Sequence, residues 1–161
     1  MLSDLDNTGD LGFMPSGRGY IVRRDRLMNE LIAKGRKAGI VLIYAPDGFG
    51  KTSVLLQYAQ EVKSDQTRGS VRIIEADHAI GREVFVQLEV VAEELKDKPR
   101  SLIAIDNVPN FNRDETEELI DKMRGLRASG IGVLVTCRPS NRLGHALRHR
   151  GQEIRRRCRP Y

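Results

Sequence analysis

The chain has 161 residues, with 27 Lys and Arg against 22 Asp and Glu, two Cys and no Trp. That length suits one domain with a core of its own, and two Cys without ligand spacing exclude a disulfide framework or a zinc site. No apolar run approaches a membrane span and the acidic N-terminus has no signal-peptide core, so the chain reads as cytoplasmic; aromatics are too few for a base-stacking nucleic-acid platform.

Residues 1–19 carry Gly, Asp and Ser without a period and read as a flexible lead-in. Tyr20 to Val22 is a short extended piece, and Asp25 to Ala33 is helical, with Leu27, Leu31 and Ile32 on one face. The apolar run Gly39 to Ala45 predicts a buried strand, and Lys51 to Lys63 a helix. Val71 to Ala76 is a second strand. Arg82 to Lys96 is a helix, with Val84, Phe85, Leu88, Val91, Ala92 and Leu95 at helical spacing. Ser101 to Asp106 is a third strand, Asp114 to Leu126 a helix with a charged outer face, and Ile131 to Cys137 a fourth strand. Asn141 to His149 forms a short helix, and Glu153-Ile154-Arg155 begins a fifth strand.

Continuously apolar strands separated by amphipathic helices predict a mainly parallel sheet of about five strands with helices on both faces. The expected fold is an α/β three-layer sandwich over residues 20–157, with 158–161 as a tail. Ligands of such sheets bind at the carboxyl ends of the strands.

One loop sits at such an end. Ala45-Pro46-Asp47-Gly48-Phe49-Gly50-Lys51-Thr52-Ser53 matches the phosphate-binding pattern G-x-x-x-x-G-K-[ST], with Ala45 at the first Gly, between a strand and a helix. Gly48 and Gly50 let backbone N–H groups approach phosphate oxygens, and the helix N-terminus adds a favourable dipole. Lys51 is placed for the β- and γ-phosphates of ATP, and the Thr52 hydroxyl for Mg2+. Asp47 puts a carboxylate beside the phosphates; unless it faces solvent or is screened by the metal, it weakens affinity.

Leu102-Ile-Ala-Ile-Asp106 looks like a Walker B strand, whose acid holds Mg2+ through water opposite Thr52. The next position often carries a second acid that activates the attacking water. Here it is Asn107, which positions water but takes no proton, so slow hydrolysis or binding without turnover is expected. Arg138 follows the fourth strand on the same rim, where an Arg senses the γ-phosphate or stabilises its charge.

The runs Val22-Arg23-Arg24-Asp-Arg-Leu27, Ala45 to Thr52 and Thr136-Cys-Arg138-Pro139 together resemble the nucleotide-binding core of the AAA-like STAND class of P-loop ATPases. The likeness is to large ATP-binding LuxR-type bacterial transcriptional regulators. It implies a signal-transduction switch in which ATP favours an active, often self-associated state and hydrolysis resets it. It also implies that Val22 with Arg23 or Arg24 lies near the adenine. Such regulators continue into further domains, so this stretch reads as an excised or truncated domain, with no specific DNA binding of its own expected.

From Arg142 onward there are seven Arg and one acid, so the net charge resides in this segment and the remainder is nearly neutral. It reads as a solvated segment or one that docks on an acidic surface. Two other functions fit the same motifs: a small-molecule P-loop kinase with this segment as a lid, and an interaction module whose phosphate loop is a relic.

Overall fold

The apolar runs become strands of one six-stranded sheet in order β1-β3-β4-β5-β2-β6. In chain order these are β1 (Leu2–Asp4), β2 (Ile40–Tyr44), β3 (Val71–Glu75), β4 (Leu102–Asp106), β5 (Gly132–Cys137) and β6 (Glu153–Arg157). The helices are α1 (Lys51–Ser64), α2 (Glu83–Leu95), α3 (Arg113–Ala128) and α4 (Arg142–His149). This computed structural model describes residues 2–4, 26, 28, 29, 31, 32, 40–64, 70–98, 100–149 and 153–157.

All neighbouring strands pair in parallel except β1, which runs antiparallel to β3. The first strand with its loop (β2) therefore lies between β5 and β6, not beside β3. The chain crosses from β2 to β3 and returns, which leaves the ends of β2, β5 and β4 adjacent on one rim. Each crossover carries a helix, as parallel pairing demands.

The pleat sorts the core into two layers. Ile40, Leu42, Ile103, Ile105, Val133 and Val135 face α2, α3 and α4, where Phe85, Leu88, Leu119, Met123 and Leu143 meet them. Val41, Ile43, Ala104 and Leu134 face the other way, onto Val54, Leu55, Tyr58 and Val62 of α1 and onto Met28 and Leu31. The three-layer sandwich of the sequence reading is thus present. Residues 26, 28, 29, 31 and 32 are helical, as the period of Asp25 to Ala33 requires.

The structure departs from the sequence reading at the edge. Leu2–Asp4 lies within the expected lead-in, yet pairs with Arg72–Ile74. Three residues are too few to show an alternation, and the edge of β3 offers main-chain groups to any sequence. The remainder of the lead-in and the 158–161 tail lie outside the described residues, as does the extended piece Tyr20 to Val22. Among the described residues no helix is long and apolar enough to cross a membrane.

Local chemistry fixes the elements that frame the rim. Asn112 and Glu115 form a reciprocal capping box at the start of α3 (2.9 and 3.1 Å). Asn141 does the same work for α4, accepting from Leu143 N at 2.9 Å. Its amide also donates to Val108 O at 2.8 Å, which ties the loop after β5 to the loop after β4.

Candidate nucleotide site on the sheet rim

The loop between β2 and α1 begins at Ala45, whose N–H donates to Cys137 O across the sheet. Gly48 and Gly50 have φ of 81° and 79°, in the left-handed region that disfavours side chains. A Cβ at Gly48 would meet nothing within 4 Å, so conformation and not space calls for glycine there. Phe49 anchors the loop by packing against the α1 face of the core. Helical bonding starts at Val54 N to Gly50 O (3.0 Å), which leaves the first N–H groups of α1 directed along the axis toward the loop.

Lys51 is buried, at 5% exposure, although it is charged. Its Nζ donates to Ala45 O (2.8 Å) and Pro46 O (3.1 Å) and lies 3.6 Å from Asp47 Oδ1. The ammonium is thus held inside the loop's own curve. Burial without partners is costly for such a charge, and these carbonyls supply them.

Across the rim, Asp106 at the end of β4 is also buried. Its Oδ2 accepts from Thr52 Oγ1 at 2.7 Å, and its Oδ1 accepts from Thr136 Oγ1 on β5. Thr136 in turn accepts from Asn107 N at 2.8 Å. Both hydroxyl protons therefore point at one carboxylate, and α1, β4 and β5 are joined through it. Asn107 has φ of 52°, and Asn tolerates the left-handed region better than most residues. Asn107 also borders a cavity.

Arg138, just past β5, grips Asp47 with two parallel bonds, Nε to Oδ1 at 3.0 Å and a terminal nitrogen to Oδ2 at 2.8 Å. Both side chains are 65% exposed. The bond from Arg138 holds the Asp47 carboxyl below its ordinary value, with Lys51 adding to the effect. Asp47 thus faces solvent and is screened, as the sequence reading requires, but by Arg138.

A cavity of about 400 Å³ opens beside this rim. Its polar lining residues are Asp77, Asn107, Asn110, Arg138, Ser140 and Asn141. It lies beyond the ends of β3, β4 and β5, next to the Asp106 network.

The structure brings Ala45 through Ser53, Asp106, Asn107 and Arg138 to one rim, as the strand order demands. Ser53 is half-buried in the first turn of α1, and the bond to Asp106 comes from Thr52. Val22, Arg23 and Arg24 lie outside the described residues. Sequence reasoning passed over Thr136, Asn141 and Asp77 as site residues. A lone Thr near the end of an otherwise apolar strand was the signal for the first. The others carried none, because a buried cap and a cavity wall are properties of the assembled rim.

Among the described residues no three His, Cys, Asp or Glu side chains gather as a metal cage. Mg2+ does not need one: it is held by one or two protein oxygens together with substrate phosphates. The Asp106 carboxylate and Thr52 hydroxyl, both hard oxygen donors in direct contact, fit that pattern.

The fold is that of the P-loop NTPases, and it is similar to the structure of PCH-2 from C. elegans, with a TM-score of 0.61 at 18% identity. The similarity covers 83% of this chain and 41% of PCH-2, so the chain spans less than half of that protein. No curated protein shows significant sequence similarity to the chain. The family described as Novel STAND NTPase 5 matches residues 18–144, most of the sequence and all of the rim just described, and the chain belongs to that family of nucleotide-binding NTPase domains.

Proposed function

We infer that the domain is an ATP-binding switch with slow hydrolysis, part of a bacterial regulator of signal transduction or transcription of the large LuxR-like kind. One observation carries the reading. The acid that would hold Mg2+ is fully organised by two hydroxyls, while the position that would take a proton from water is Asn107. Binding machinery is present and proton transfer is handicapped.

In this reading Lys51 exchanges its bonds to Ala45 O and Pro46 O for the β- and γ-phosphates, while loop N–H groups cradle the same oxygens. Thr52 and Asp106 hold Mg2+, which when bound neutralises phosphate charge. Asn107 orients water, and Arg138 meets the γ-phosphate. Val22 with Arg23 or Arg24 borders the adenine. ATP-bound copies self-associate, and this stretch alone binds no specific DNA.

Titrating Mg2+-ATP by calorimetry against wild type and Lys51→Ala, with phosphate release followed in the same samples, tests this. Binding lost in the variant, with little phosphate released by wild type, supports a switch. Fast multiple turnover removes the switch reading, and absence of wild-type binding removes the nucleotide reading.

The cavity favours a second reading. A volume of about 400 Å³ beside Asn107 and Arg138 exceeds what an attacking water needs and suits a small hydroxyl acceptor, so the chain would be a small-molecule kinase. ADP release that depends on added acceptors distinguishes the two.

A further inference from the structure

The phosphate loop contains a carboxylate that ordinary phosphate chemistry disfavours, and that carboxylate is bound to Arg138, the rim Arg that the reading above assigns to the γ-phosphate. We propose that Asp47 is a specificity-determining residue: it holds Arg138 in a resting position and thereby biases the site toward nucleoside diphosphate over triphosphate. This rests on the nucleotide reading above.

Both Asp47 oxygens are engaged, by Nε and a terminal nitrogen of Arg138 at 3.0 and 2.8 Å. The residues are 91 apart in sequence and join the loop after β2 to the loop after β5. A diphosphate leaves this fork in place, and Arg138 neutralises the carboxylate beside the β-phosphate. A triphosphate draws the same guanidinium edge to the γ-phosphate. Asp47 is then left beside a polyphosphate without its Arg138 partner; Lys51 lies 3.6 Å away but is itself required by the phosphates. The triphosphate state therefore carries a cost that the diphosphate state does not. Breaking an exposed pair of this kind is small in energy, worth about a two- to fivefold change in affinity. That range suits a switch whose two states are meant to interconvert.

The test measures affinities of Mg2+-ADP and a Mg2+-bound non-hydrolysable ATP analogue for wild type, Asp47→Asn, Arg138→Ala and the double variant, by calorimetry. Asp47→Asn is expected to raise the ratio of triphosphate to diphosphate affinity by about two- to fivefold. In the Arg138→Ala background the same substitution leaves the ratio unchanged, the signature of coupling between the pair. Thermal melting of each variant confirms that the fold is retained. An equal shift for both nucleotides overturns the proposal, because Asp47 would then act by simple charge on the loop. So does a ratio change that persists without Arg138. Absence of any wild-type binding removes the nucleotide reading and this role with it, a result distinct from measurable binding with an unchanged ratio.

Discussion

Thr136 Oγ1 donates to Asp106 Oδ1 and accepts from Asn107 N, so one hydroxyl fixes both the metal-site acid and the residue after it. Thr136 is fully buried. Asp106 is buried and Asn107 half-buried.

Thr136→Val keeps the shape of the side chain and removes both bonds. The buried Asp106 carboxylate and the half-buried Asn107 N–H lose a partner together, which costs about 1–3 kcal/mol in stability. We expect Mg2+-dependent nucleotide affinity to fall about tenfold, by analogy with loss of outer-shell partners at metal sites. Affinity measured in EDTA should change far less. Thr136→Ser should restore both. Urea unfolding and calorimetry with and without Mg2+ check the expectation, and equal losses under both conditions would count against a role in positioning Asp106.

Asn107 is the second point where conformation constrains chemistry. At φ of 52° an ordinary L residue is disfavoured by about 1–2 kcal/mol. We expect Asn107→Ala to lose about 1 kcal/mol of stability and Asn107→Gly to be close to neutral. Asn107→Asp keeps the left-handed tolerance and introduces a carboxylate. It should raise phosphate release without altering nucleotide affinity by more than a few-fold. Urea midpoints separate the first two variants, and a phosphate-release assay decides the third.

The fold was legible because its signals are local. The apolar runs over Ile40–Tyr44 and Leu102–Asp106 and the helical period over Glu83–Leu95 each lie within one segment. The phosphate loop was legible for the same reason, since Gly50-Lys51-Thr52 carries its chemistry in consecutive residues. Thr136 was not, because its meaning depends on β5 lying beside β4 with Asp106 at the same level of the rim. Strand order is set by crossovers, which no single window encodes. The pairing of Asp47 with Arg138 is further still from local, and the sequence showed only an awkward carboxylate and a useful Arg.

That pair has a pH signature. Arg138, and to a smaller extent Lys51, hold the Asp47 carboxyl below its ordinary value of 3.8. A depressed carboxylate pKa contributes stability that is present above the ordinary value and is lost as pH falls through the folded value. The contact should therefore be intact throughout the neutral and mildly acidic range, and weaken only at pH below 3.8. In Arg138→Ala the Asp47 titration should move upward toward the ordinary value. Carbon-detected NMR of the side-chain carboxyl reads both. An Asp47 midpoint in wild type at or above the ordinary value would mean that the fork does not persist in solution.

Asn141 tests whether the rim is placed by its caps. It is buried, its carbonyl caps α4 through Leu143 N, and its amide donates to Val108 O. It also closes the turn that carries Arg138, donating its own N–H to Arg138 O at 3.0 Å. Asn141→Asp retains the acceptor for the cap and loses the donor to Val108, whereas Asn141→Ala loses both. We expect Asn141→Ala to cost about 1–3 kcal/mol, as for a cap together with an unsatisfied buried carbonyl. Asn141→Asp should keep α4 intact yet still free the loop after β4 from the loop after β5. If the tether places Arg138, Asn141→Asp weakens triphosphate binding more than diphosphate binding, while circular dichroism reports unchanged helix content. Equal effects on both nucleotides would confine Asn141 to stability.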